Sequence, residues 1–134
     1  MNETTKSIEG TRVKYPKAFR LITLELAREA KHPAGDRAFG YRLVVPVDEN
    51  ARIDTELASR HRDLCKVVRF RPSEDDQVGH VIRKGAGWIF HYGDVDADDV
   101  GYRLADEKLV VGEYVSVRDV DAMHTFKIVS VERV

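Results

Sequence analysis

The sequence predicts a mainly β domain, a small antiparallel β-barrel or rolled sheet with one short helix. Three observations carry that expectation. Short runs of alternating apolar and polar residues recur along the 134 residues, and period-two patterning marks strands. Clusters of glycine, proline, asparagine and aspartate punctuate those runs, as turns require. Strands are not interleaved with long helices, which favours antiparallel pairing, and closure into a barrel removes exposed edges.

Residues 1–14 are polar, with Ile8 and Val13 as apolar punctuation, and read as a flexible N-terminal arm. Residues 15–134 then form one β-rich domain. Within Phe19–Ala30, Ile22, Leu24 and Leu26 alternate with Thr23, Glu25 and Ala27, which reads as a strand over Arg20–Arg28. The same segment is rich in helix formers, and Phe19, Ile22, Leu26 and Ala30 could share a helical face, so the alternative class is α+β. His32–Asp36 is turn chemistry, and Phe39–Val47 is a strand with Pro46 at an edge or end. Asp54 caps a short helix to His61. Leu64–Arg71 is a strand, and Ser73–Asp76 an acidic turn. Beyond the central hairpin follow strands over Gly101–Leu104, Glu113–Arg118 and His124–Val131. The last changes phase between Ile128 and Val129, as a bulge would make it do.

The hairpin, Gln77–Gly93, carries the heaviest side chains and admits two registers. A two-residue turn at Gly85-Ala86 pairs His80 with His91 and Ile82 with Ile89. A three-residue loop ending on a left-handed Gly87 pairs His80 with Tyr92 and Ile82 with Phe90. The second is favoured, because it gathers Ile82, Trp88, Phe90 and Tyr92 on one apolar face.

Composition bounds function. The net charge is −1, so any attraction to nucleic acid or membrane must come from local patches. Cys65 stands alone, and no apolar run reaches the ~20 residues of a membrane span. The polar start has no signal-peptide core, so a cytoplasmic location is expected. No phosphate-loop, dinucleotide or nucleophile-elbow motif is present, so no cofactor is expected.

Five histidines stand at 32, 61, 80, 91 and 124 without a metal spacing. His80 and His91 would meet only in the two-residue register, with His124 as a third member of a metal or acid–base site. Asp94-x-Asp96-x-Asp98 opens like a calcium loop but has Asp99 and Ala105 where glycine and glutamate belong, so a solvated acidic loop is expected. Cys65 lacks an oriented base and reads as a packing residue. Small-ligand binding in a barrel mouth would fall to His80, Trp88, His91, Tyr92 and His124, with Tyr102 and Tyr114 as further polar groups. Trp88 reads first as core. Nucleic-acid binding would fall to a stripe of Arg69, Arg71, Arg83 and Lys84, although the acids at 74–76 and 94–99 point to a solvated, paired face instead.

The stretches LELAR (Leu24–Arg28), GYRLVVPVD (Gly40–Asp48), WIFHY (Trp88–Tyr92), GEYVSVRD (Gly112–Asp119) and HTFKIVSV (His124–Val131) resemble a family of small bacterial hypothetical proteins. That resemblance implies no activity and no site residues. VVGEYVSVRDVDAMHTFKIVSV is also similar to the closing hairpin of PUA-like barrels, which implies RNA binding. The expectation is therefore a non-catalytic binding or interaction barrel for a protein partner or small ligand. A nucleic-acid-binding barrel is the second reading, and a histidine-based metal protein or enzyme the third.

Overall fold

Side-chain alternation decides the architecture. Leu24, Leu26, Tyr41, Leu43 and Val45 are buried, while Thr23, Glu25, Arg42 and Val44 between them are partly exposed. The computed structural model describes residues 7–8, 11–12, 14–93 and 98–134. Strands β1 (Ser7–Ile8) and β2 (Thr11–Arg12) pair with each other. The remaining members of the expected arm, 1–6, 9–10 and 13, lie outside the described residues.

The strands that follow are β3 (Phe19–Leu26), β4 (Asp36–Pro46), β5 (Lys66–Phe70), β6 (Gln77–Lys84), β7 (Gly87–His91), β8 (Asp99–Tyr102), β9 (Tyr114–Arg118) and β10 (Met123–Arg133). Each pairs antiparallel with the next, and β10 pairs with β3, closing an up-and-down barrel. The helix α1 (Thr55–Arg60) starts where the Asp54 carboxylate accepts from the Leu57 N–H at 3.0 Å. The bulge in β10 falls between Ile128 and Ser130. Residues 19–30 do not form the alternative helix. A helix would scatter Ile22, Leu24 and Leu26, whereas the strand turns all three into the core. β8 ends earlier than Leu104, because Arg103 takes a left-handed φ of 58° and starts a 3-10 turn, Leu104–Asp106.

The hairpin corrects the favoured register. His80 pairs with His91 and Ile82 with Ile89. Gly85 has a φ of 60°, while Gly87 is not left-handed. Trp88, Phe90 and Tyr92 do face the core, but Ile82 points outward and is exposed, and the inward places on β6 go to Gly79 and Val81. The two-residue turn at Gly85-Ala86 sets this parity. The inward place at Gly79 admits no side chain, since β6 and β7 approach so closely there that a Cβ would meet the His91 carbonyl.

Side chains fill the barrel. Phe90, Phe126, Leu43, Val67 and Val117 are among those fully buried, as expected for a barrel of this strand number. One end is plugged by apolar groups including Ile53, Ala58, Cys65, Leu104 and Leu109. Among the described residues, no helix is long and apolar enough to cross a membrane.

Candidate functional site

The other end of the barrel is polar. On β5, alternation puts Val67 and Arg69 on the inward face, and Arg71 follows just past the strand end. Inside, they meet Tyr41 from β4, Tyr92 from the end of β7, Asp99 from β8 and Asp119 beyond β9. The Asp99 carboxylate accepts from the Tyr41 and Tyr92 hydroxyls, each at 2.8 Å, and lies 3.6 Å from Arg69 Nε. Tyr41 and Asp99 sit on strands four apart in the ring, so this bond crosses the lumen. Arg71 donates to the Tyr41 hydroxyl at 3.0 Å and to the Gly40 carbonyl at 3.2 Å. Its guanidinium covers the Phe39 ring at 3.9 Å and stands 3.6 Å from Asp119. His124 completes the set, 3.2 Å from Glu29 through Nδ1 and 3.8 Å from Asp119 through Nε2.

These groups form one connected network, which borders a cleft of about 310 Å3 lined by Arg69, Tyr92, Asp99 and Asp119. Burial, opposed by Arg71 and reinforced by Asp99, raises the Tyr41 hydroxyl far above its ordinary range. Burial, then Tyr41 and Asp99, do the same to Tyr92. Both phenols stay neutral and serve as donors. Burial alone would raise Asp119. The N–H groups of Ala122 and Asp121, together with His124 and Arg71, outweigh it and hold the carboxyl below its ordinary 3.8. A depressed carboxyl stabilises the fold above its unfolded value and loses that contribution as pH falls through the folded one. Asp119→Asn is therefore expected to lower the urea midpoint at neutral pH, and the gap to wild type should close below about pH 4. A gap unchanged down to about pH 3 would contradict the pairing.

The expected site residues do not gather in one place. Tyr92 and His124 belong to the polar end, while Trp88 lies at the apolar end. His80 and His91 oppose each other in register but sit on the outer face, where His91 Nδ1 lies 2.7 Å from Asp98. His124 is inside, so the three histidines share no site. Among the described residues, no group of three or more histidine, cysteine, aspartate or glutamate side chains is placed to hold a metal. Tyr102 and Tyr114 are exposed. Arg69 and Arg71 are drawn inward at one end, whereas Arg83 and Lys84 flank the β6–β7 turn at the other, so the four make no stripe. The basic face is paired with acids, Glu74 and Asp99 among them, but Arg71 is buried rather than solvated. Asp99 is likewise buried, not part of a solvated loop; the calcium-like positions 94–97 lie outside the described residues. Burial, then Asp63, push the Cys65 thiol up to about 11, far from a reactive thiolate.

A different set of cations converges on the outside. Two adjoining clefts, about 450 and 360 Å3, share Tyr15 and Val134. Lys17, Arg20 and Arg133 line the first, Arg42 and Lys66 the second, and no carboxylate side chain lines either. Register explains the convergence: Leu21 lies beside Val44, Val44 beside Lys66, and Arg42 beside Val68. These outward positions form a floor of Leu21, Val44 and Val68 under a basic rim. Two acids flank it, Asp76 at 3.5 Å from Arg42 and Glu132 opposite Leu21. Sequence reading missed this face because its cations come from separate strands and form no run. The one available signal was the apolar outward residues, Leu21, Val44 and Val68, where water-facing strand positions are usually polar.

Comparison of the chain with protein-family models, curated proteins and solved structures finds no match.

Proposed function

We propose that the protein is a non-catalytic interaction barrel that holds an acidic, apolar segment of a protein partner in the groove over β3, β4 and β5. The observation that carries this reading is the lining of the groove. Five cationic side chains and an aliphatic floor meet there without a lining Asp or Glu side chain, in a chain whose net charge is −1. Such a surface complements alternating acidic and apolar side chains. The inward ionisable groups support the non-catalytic part, because Tyr41, Tyr92, Asp99, Arg69 and Arg71 are committed to one another.

The same cations would attract a nucleic-acid backbone, and the PUA-like similarity of the closing hairpin points that way. The floor weighs against it. Single-strand binding relies on several stacking aromatics, and Tyr15 is the only aromatic of the two linings that is not fully buried. Calorimetric titration with a synthetic peptide of alternating aspartate and leucine tests the reading. Saturable binding is expected, weakened at least about tenfold by Arg42→Glu with Lys66→Glu. A uridine oligonucleotide that binds instead, with affinity falling steeply in salt, would establish the nucleic-acid reading. Binding by neither probe would overturn both.

A further inference from the structure

At the apolar end of the barrel, Trp88 is 3% exposed and its Nε1–H is buried with no hydrogen-bond partner among the described residues. An indole N–H can only donate, and a buried donor left unpaired is costly. Trp88 lines a cavity of about 160 Å3 with Ala58, Arg62, Val81, Ile82 and Arg83. The body of that cavity is apolar. The indole N–H is sealed from it, and its polar side-chain groups are two guanidinium ions, which only donate. Arg83 gives a hydrogen bond to the Gly85 carbonyl at 3.3 Å and Arg62 one to Ser59 at 3.5 Å, so the partner of each is an uncharged main-chain oxygen. Arg83 also lies 5.8 Å from the centre of the Trp88 ring.

We infer that this cavity is a binding site for a small organic carboxylate with an apolar body, of the size of a single aromatic ring. A dry cavity of roughly 150 Å3 accepts one benzene ring. The lining is apolar, with two guanidinium donors and no acceptor side chain. An anionic head would be received by Arg62 and Arg83, and a cationic head would find no side-chain partner. The site is separate from the basic groove, shares no lining residue with it, and does not depend on the function assigned to it.

Trp88 is the only tryptophan in the chain, so tryptophan emission, excited apart from the tyrosines, reports on this cavity. The full chain is titrated with benzoate, benzyl alcohol and benzylamine. Benzoate is expected to change the emission saturably, benzyl alcohol more weakly and benzylamine not at all. Arg62→Met with Arg83→Met, both at exposed positions, should weaken benzoate binding at least about tenfold, each protein being read against its own unliganded emission. The inference is overturned if benzoate causes no saturable change, if benzylamine matches it, or if the double variant binds benzoate as well as wild type does.

Discussion

Asp99→Ala is expected to lower the unfolding free energy by about 3–5 kcal/mol, because it breaks a buried pair from one side. Asp99 is 3% exposed and accepts from Tyr41 and Tyr92 while facing Arg69. Alanine leaves two buried phenols without their acceptor and removes the nearest buried countercharge of Arg69. Asp99→Asn should cost less, since one carbonyl oxygen remains to accept. A domain of ordinary stability, about 5–15 kcal/mol, would be left marginal by the alanine variant. Urea unfolding measures the loss, and Tyr41→Phe with Tyr92→Phe in a double-mutant cycle assigns it to the network. A loss under about 1 kcal/mol would show that water enters this end of the barrel.

Gly79→Ala should be nearly as damaging, at about 3 kcal/mol or more, for a steric reason. β6 and β7 run so close that an added Cβ would overlap the His91 carbonyl oxygen, with the carbonyl carbon 2.8 Å and the Tyr92 Cα 3.0 Å away. These are main-chain atoms and cannot swing aside as a side chain can. Gly87→Ala is the control. Its Cβ would meet only the Lys84 carbonyl, at 3.8 Å, and its φ is not left-handed. It should be neutral or slightly stabilising, because alanine restricts the unfolded chain. Equal melting of the two variants would contradict the two-residue register.

Much of the barrel was legible because its signals are local. Ile22-Leu24-Leu26 and Tyr41-Leu43-Val45 alternate cleanly, Asp54 caps its helix as its position suggests, and the phase change at Ile128–Val129 marks a real bulge. The register of Gln77–Gly93 was not legible, because both turns are chemically sound and the glycines at 85 and 87 suit one turn each. Apolar side chains on β6 misled: Ile82 faces outward, and crowding reserves the inward place for Gly79. The candidate sites depend on closure. Tyr41 and Asp99 stand 58 residues apart and meet only across the lumen. The groove draws Lys17, Arg20, Arg42, Lys66 and Arg133 from four strands and one lead-in segment. Arg69 and Arg71 looked like a binding stripe, because period two shows that they share a face without showing that the face is inside.

The most direct test of the groove is a methyl-resolved NMR titration with the aspartate–leucine peptide. Shifts confined to Leu21, Val44, Val68 and their neighbours are the result the interaction-barrel reading requires. Shifts centred on Val120 at the polar end, or on Ile82 beside Trp88, with Leu21, Val44 and Val68 unmoved, would contradict it.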